Sequence, residues 1–479
     1  MKLSEILKYI RTNEVAGETD IEITGLCTNS QEVQEGDLFF CYEGGKYDSH
    51  NCLDEVVENG AVAIVCEKKL DCPLTQVITD DGRAQIAKAA RAFYGFPDQK
   101  LKIIGVTGTN GKTTTTYMLD SIFKANGNLT GTIGTLGISY GGKFIAPELT
   151  TPDPVFLFSV LSDMVDAGVE YVFMEVSAHA LYYDKICGIT FETGIFTNCT
   201  QDHLDFFGNM SDYAESKKLM FKSGRCKRAV INSDDELGVQ ILSGLKNAVS
   251  YGLQNPADVF AVDINEKLDG TTFVLNLFDE LYEIELGLPA MHNVYNAMSA
   301  AACAKLLGVK TNVIARGLKE LKNVSGRLER VAKYNGADIF VDFAHTPDGL
   351  EKSLKSLKKL CKGKLYCLFG CGGNRDRAKR PIMGKVAALN SDFCIVTSDN
   401  PRYEDPYDII SEIEAGIKPT GKNYVTVTER EIATEYAIRL LEKDDILLVA
   451  GKGGETYQEI MGIKHSYNDN IVIKNIIGN

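Results

Sequence analysis

Residues 101–119 read LKIIGVTGTNGKTTTTYML, an apolar run followed by a glycine-bracketed loop and then a helix-forming segment. That order, strand then glycine loop then helix, constrains the fold strongly, because it belongs to α/β units in which the loop lies at the carboxyl end of a parallel strand. A strict G-x-x-x-x-G-K-[ST] pattern fails, since Val106 stands at its first position. The working parts are nevertheless present. Gly108, Thr109, Asn110 and Gly111 form a turn whose N–H groups can point inward, Lys112 can reach terminal phosphates, Thr113 can meet Mg2+, and Thr114 opens the helix. The pattern predicts nucleotide binding; the alternative is a tight turn with an exposed lysine.

Four more apolar runs end in glycine, aspartate or asparagine: ADIFVDFAHTPDG, KLYCLFGCGGNRD, DFCIVTSDNP and DILLVAGKGGE. They predict a second parallel sheet with ligands at its strand ends. The first hundred residues alternate short strand candidates, IEITGL, GDLFFCY, AVAIVCE and TQVIT, with a helical run from Asp81 to Tyr94. Further strands are expected at YVFMEVS, TGIFTN and RAVIN, and a helix over 292–307. The expected fold is therefore α/β throughout, in three domains: 1–98, 99–326 and 327–479.

Of 479 residues, 44% are hydrophobic and 24% charged, which suffices for several cores. A net charge of -14 argues against a nucleic-acid partner, which would require a basic face. The thirteen cysteines show no C-x-x-C pair, pointing to reduced thiols and a cytoplasmic location. The N-terminal MKLSEILKYI places Leu3, Ile6, Leu7 and Ile10 on one helical face and lacks a signal-peptide pattern, and no apolar run approaches a membrane span.

Polar clusters follow several strands. MEVSAHAL brings Glu175, Ser177 and His179 to a strand end, where a carboxylate either serves a metal or caps the sheet. FTNCTQDHLDFFG gathers Asn198, Gln201, Asp202, His203 and Asp205. Four of the six histidines, His179, His203, His292 and His345, fall in such clusters. His292, Asn293 and Asn296 begin a helix and suit a base or phosphates, Arg327 suits charge stabilisation, and Asp342 suits a ribose hydroxyl. Arg375, Arg377, Asn400 and Arg402 are either exposed loop arginines and their neighbours or a fork-lined site for an acidic or zwitterionic small molecule. In DYAESKKLMF, Lys217 and Lys218 read as solvated charge on a helix.

Taken in order, GTNGKTT, EVSAH, TNCTQDHLDFFG, HNVYNAM, GRLE, DFAHTPD and GGNRD resemble the Mur ligases, ATP-dependent amino-acid ligases that build the peptidoglycan stem peptide. The resemblance runs over essentially the whole chain. It implies a small N-terminal UDP-binding domain, a central P-loop ATPase-type domain and a C-terminal Rossmann-like domain. It also implies ATP and Mg2+, an acyl-phosphate route and small-molecule substrates; no membrane insertion and a monomer are expected alongside. Asp399-Asn400-Pro401-Arg402 matches the DNPR signature of members that add meso-diaminopimelate to the D-glutamate of a UDP-N-acetylmuramoyl dipeptide; lysine-adding members lack that arginine.

By that resemblance Ser30, Thr150, Thr151, Ser177 and Lys185 would contact the UDP substrate, and His50 would help Ser30 hold its UDP portion. The loop residues, Asn293, Arg327 and Asp342 would serve ATP. Glu175, His203, Thr113 and a carbamylated Lys217 (N6-carboxylysine) would serve Mg2+, with Lys112, Lys217, Glu175 and His203 catalytic. Arg375, Asp399, Asn400, Pro401, Arg402, Gly451 and Glu455 would bind diaminopimelate. Three positions depart from the family pattern: TNSQ (28–31) replaces T-D-S-R, Lys185 replaces an arginine, and Gly454 replaces a histidine. The competing expectations are a lysine-adding ligase, a folylpolyglutamate-synthetase-like ligase and a P-loop ATPase or switch.

Overall fold

The computed structural model describes residues 1–43, 48–222 and 224–478. The chain forms two compact units and passes between them more than once. One comprises residues 1–105, 128–194 and 216–228, the other 106–127, 195–215 and the chain from 229 onward.

In the first unit a five-stranded sheet runs in the order Glu14–Ala16, Thr75–Ile78, Ala63–Cys66, Asp37–Phe40, Gly25–Cys27. Its last four strands are parallel and the first is antiparallel. Three of these four lie inside the expected segments, and the fourth, Gly25–Cys27, overlaps IEITGL only at Gly25 and Leu26. Phe39, Cys41, Val56, Ile64 and Cys66 fill one core against it. Helix Gly82–Phe93 begins where Asp81 accepts the Ala84 N–H at 2.9 Å, a side-chain cap. The N-terminal helix covers only Leu3–Ile6. Leu3, Ile6 and Ile10 are buried as the periodicity implies, but the chain must extend beyond Ile6 to join the sheet edge at Glu14. The unit's second set of strands pairs Tyr171–Glu175 parallel to Thr130–Gly134, then continues antiparallel through Gly137–Tyr140 and Lys143–Ile145.

The second unit holds strands Ala229–Asn232 and Ala248–Tyr251 in parallel. An antiparallel meander follows, Val259–Lys267, Gly270–Leu277 and Glu280–Leu286, which the sequence reading did not anticipate. Its C-terminal sheet runs Glu329–Tyr334, Ala337–Asp342, Ile446–Ala450, Leu365–Phe369, Phe393–Val396, Tyr424–Thr426. All but the first pairing are parallel, and the four apolar runs singled out in the sequence are four of these strands.

Helices cover both faces of that sheet, which explains why the strands read as continuous apolar runs. Leu350, Leu354, Leu357, Met383, Ala387, Ile409 and Ile413 pack on one face. Ala433, Ala437, Ile438 and Ile473 pack on the other. Beside the second core, Arg430 and Asp469 are both fully buried and joined by two hydrogen bonds of 2.8 and 2.9 Å. Both charges are desolvated, so losing either partner would cost more than the pair contributes.

Candidate active site

The phosphate-type loop owes its shape to two glycines. Gly108 (φ 149) and Gly111 (φ 88) adopt backbone angles that side chains disfavour. A Cβ on Gly108 would collide with the Thr197 hydroxyl, and one on Gly111 would approach Asn296 Oδ1 to 2.5 Å. Val106 lies inside strand Lys102–Thr107 and is fully buried. The first position of the strict pattern is thus a core residue here, and a glycine is not required there.

The loop is held by side chains from the segment 197–213. Asn198 Oδ1 accepts the Asn110 N–H at 2.9 Å, while the Thr197 hydroxyl (2.6 Å) and Asn198 Nδ2 (3.1 Å) donate to the Asn110 carbonyl. The Thr109 hydroxyl accepts the Thr200 N–H at 3.1 Å and pairs with the Tyr213 hydroxyl at 3.2 Å. Lys112, the first residue of helix Lys112–Ala125, folds its ammonium back onto the carbonyls of Gly108 (2.8 Å) and Thr109 (2.9 Å). Arg327 donates to the Thr113 hydroxyl at 2.8 Å. Two cations therefore meet at a helix N-terminus lined with backbone donors, the arrangement that gathers a polyphosphate.

Beside the loop lies a cavity of about 540 Å3, lined by Asn110, Gly111, Thr114, Asn296, Arg327 and Asp342 among others. Burial pushes the Asp342 carboxyl up to about 6, although Arg327 and the Ser353 hydroxyl at 3.0 Å both favour its charged form. His292 also lines the cavity, and burial lowers its imidazole to about 4, so it is neutral near pH 7. Asn293 does not line the cavity. Its amide donates to the Pro289 carbonyl (2.7 Å) and its oxygen accepts from Asn296 (3.1 Å), so it orients the asparagine that does. Tyr295 and Asp234, joined at 2.7 Å, also face the cavity and carried no local sequence signal.

The histidine clustering is partly realised. His203 and His345 place Nε2 at 3.4 and 3.5 Å from the buried Asp202 carboxylate, with the Lys379 ammonium at 3.6 Å. Burial works against the charge of Asp202, but His345, His203 and Lys379 outweigh it and hold the carboxyl well below its ordinary value. His179 belongs to the other unit.

At the carboxyl ends of the C-terminal sheet, Asp399, Asn400, Pro401 and Arg402 follow strand Phe393–Val396, and Gly451 follows Ile446–Ala450. Gly451 (φ 111) leaves room for Asp399, whose Oδ2 would lie 2.7 Å from a Cβ there. Arg402, at φ 53, donates through Nε to Glu459 (3.1 Å) and through Nη1 to the Gly373 carbonyl (2.8 Å). Asn400 Nδ2 donates to Glu455 at 2.9 Å. Burial opposes the Asp399 charge, yet Lys452 and Arg430 lower its carboxyl below the usual value. Arg375 is exposed beside this group. Arg377 does not join it, because it pairs with Glu412.

In the first unit, Glu175 ends strand Tyr171–Glu175 and is 1% exposed. Its carboxylate accepts the Thr135 N–H (2.9 Å) and hydroxyl (3.1 Å), and the Thr135 hydroxyl also meets that of Thr150 (3.1 Å). Thr151 donates to the Glu175 carbonyl at 2.9 Å and accepts the Ser177 N–H at 3.0 Å, and Ser177 caps helix Ala178–Tyr182. Lys185 pairs with Asp153 at 2.5 Å. Ser30 is buried at the start of a 3-10 turn capped by Asn29, and His50 is buried against Asp48 (2.6 Å).

One sequence reading is overturned. Lys217 is not solvated charge: it is 1% exposed on helix Met210–Lys218. Tyr213, Ser216 and Lys217 are all buried, at i, i+3 and i+4, which is the spacing of an inward helical face. The one-turn spacing of Tyr213 and Lys217 was the available signal. Among the described residues no group of three or more His, Cys, Asp or Glu side chains forms a metal cage. A Mg2+ ion carried by nucleotide phosphates keeps several waters and needs few protein ligands, and the Thr113 hydroxyl at the loop is a hard oxygen of the kind it takes.

Comparison with known proteins places these features in one family. The family model for the Mur ligase middle domain matches residues 106–304, and that for the Mur ligase, glutamate ligase domain, matches residues 326–453. The chain is 42% identical over 476 residues to UDP-N-acetylmuramoyl-L-alanyl-D-glutamate--2,6-diaminopimelate ligase 1 of Clostridium acetobutylicum, covering 98% of this chain and 97% of that one. It is 39% identical over 480 residues to the ligase of the same description from Caldanaerobacter subterraneus subsp. tengcongensis, covering 100% and 99%. A solved structure described as UDP-N-acetylmuramoyl-L-alanyl-D-glutamate--2,6-diaminopimelate ligase matches with a TM-score of 0.70 at 29% identity, covering 100% of this chain and 99% of that one. The matched segments include both the phosphate-type loop and the strand ends of the C-terminal sheet, and the chain belongs to the Mur ligase family.

Proposed function

We propose that this chain is an ATP-dependent, ADP-forming ligase that joins meso-2,6-diaminopimelate to the D-glutamate carboxylate of UDP-N-acetylmuramoyl-L-alanyl-D-glutamate, a step of peptidoglycan precursor synthesis. The observation that carries the reading is the pairing, within one compact unit, of a nucleotide loop with a carboxylate-and-arginine site. Lys112 and Arg327 meet at the loop, and Arg402, Asn400 and Glu455 stand at strand ends of the C-terminal sheet. The names of the full-length relatives supply the substrates.

A carboxylate oxygen attacks the γ-phosphorus of ATP, the bond to ADP breaks, and an acyl phosphate forms. The amine of the amino acid then attacks the acyl carbon, the C–O bond to phosphate breaks, and a proton leaves the nitrogen as the amide forms. Lys112 and Arg327 offset charge gathering on the phosphate oxygens, which is electrostatic preorganisation rather than covalent catalysis. Mg2+ would supply Lewis-acid polarisation at the nucleotide loop, where Thr113 and His203 of the same unit would hold it. Asp342 would accept ribose hydroxyls, with Asn293 acting through Asn296. Thr150, Thr151, Ser177, Lys185 and Ser30 would hold the UDP substrate, and Arg375, Asp399, Asn400, Pro401, Arg402, Gly451 and Glu455 the diaminopimelate.

We further propose a monomer and a cytoplasmic location, the location supported by thirteen cysteines with no C-x-x-C pair in the sequence. Phosphate release with the UDP-dipeptide present, measured with meso-diaminopimelate, with L-lysine and with neither, tests the activity. Release should require diaminopimelate. Equal release with lysine would assign the lysine-adding reaction, and release without any amino acid would make the chain an ATPase.

A further inference from the structure

Lys452 lies in the GKGGE segment and is 0% exposed. A buried ammonium is costly unless its hydrogen bonds are met, and a methionine would fill the same space without that cost. What the ammonium does is visible in its partners. It donates to Asn400 Oδ1 at 2.9 Å and to Glu455 Oε2 at 2.8 Å, and the rings of Tyr457 and Tyr467 flank it at 5.8 and 6.0 Å.

Those two bonds fix the orientation of both acceptors. Asn400 Oδ1 also takes the Glu459 N–H at 2.9 Å, so the oxygen end of the amide is committed and Nδ2 is turned toward Glu455 Oε2. Glu455 Oε2 thus accepts from both Lys452 and Asn400. Among the described residues, Oε1 accepts no side-chain or backbone hydrogen bond, and the Glu455 side chain is 25% exposed. The same network continues through Glu459 to Arg402 Nε, while Arg402 Nη1 is held by the Gly373 carbonyl. One carboxylate oxygen and the remaining edge of one guanidinium are left for a ligand, both aimed by groups that are themselves immobilised.

We propose that Lys452 is a positioning residue for the amino-acid substrate: by pinning Asn400 and one oxygen of Glu455, it presents the other oxygen to the substrate ammonium group. This rests on the functional reading above. Without the ammonium, the Asn400 amide can rotate and Glu455 loses its anchor, so recognition of the amino acid weakens while the nucleotide loop, which Lys452 does not touch, keeps its geometry.

The test is steady-state kinetics of the full chain with the UDP-dipeptide, ATP and meso-diaminopimelate, comparing wild type with Lys452→Met. The variant should raise the KM for diaminopimelate by about 10- to 100-fold, the range expected for lost charge-assisted hydrogen bonds, with the KM for ATP and kcat at saturation within about threefold. An unchanged KM for diaminopimelate, or an equal rise in both KM values, would overturn the proposal. Should Lys452→Met not fold, Lys452→Gln, which keeps a neutral donor, is read instead: a folded Gln variant should show a smaller rise in the same KM alone, and no rise would overturn the proposal. The wild-type arm separates this from the functional reading. If wild type shows no dependence on amino acid, that reading falls and takes this proposal with it, whereas a dependent wild type beside an unaffected variant overturns the role of Lys452 only.

Discussion

Asp342 shows how one buried group reports on the nucleotide site. Its carboxyl is raised from the ordinary 3.8 to about 6 by burial, against the pull of Arg327. Because the folded-state value exceeds the unfolded one, the protonated form is favoured by folding. That contribution is complete below about pH 4 and is lost as pH rises through about 6. The difference amounts to on the order of 3 kcal/mol. Asp342→Asn removes the buried charge while keeping the shape, so its unfolding midpoint in urea should exceed that of wild type at about pH 7.5, and the gap should close near pH 4. Residue-scale legibility was uneven. Gly108, Gly111 and Lys112 act through their own local backbone and could be read directly. Tyr213 and Asn198 hold the loop from about a hundred residues away, and Lys217 is inward-facing only because its whole helical face is buried. Neither fact is local, and a lysine pair on a short helix gives the wrong impression without its neighbours.

Among elements, the two loops that carry Arg375 and Arg402 depend on a clamp. Arg380, fully buried at the start of helix Lys379–Asn390, grips Glu404 with two hydrogen bonds of 2.9 Å. It also donates to Glu412 at 2.9 Å and to the Gly372 carbonyl at 3.2 Å. The Asn374 N–H reaches Glu404 as well, and Asn374 accepts the Tyr403 N–H at 3.0 Å. Removing the cation alone leaves two carboxylates around an unfilled site. Arg380→Met should therefore destabilise the protein by on the order of 3 kcal/mol, seen as a lower denaturation midpoint. A midpoint within about 0.5 kcal/mol of wild type would mean that the loops hold their shape without it. The parallel strands were legible because burial on both faces makes them continuous apolar runs. The meander from Val259 to Leu286 was not anticipated: Thr271, Phe273, Leu275 and Leu277 alternate with half-buried residues, and the last strand is largely exposed. The alternation in the middle strand is a period-2 strand signal that the reading passed over, whereas the exposed last strand has few buried positions to mark it.

For the whole molecule, the α/β character and the run of strand-end motifs were set out in the sequence before any packing was visible, because each motif terminates a buried strand. The partition into two compact units could not be read that way, since each unit collects segments far apart in the chain. The proposed reaction depends on one chemical order: a carboxylate is activated by phosphoryl transfer before an amine displaces the phosphate. It is tested by supplying the UDP-dipeptide with 18O in both oxygens of the accepting D-glutamate carboxylate, together with ATP and meso-diaminopimelate, and weighing the inorganic phosphate released. One 18O atom per phosphate, matched by one amide bond and one ADP, is the expected result; phosphate free of label while amide accumulates would rule out an acyl phosphate.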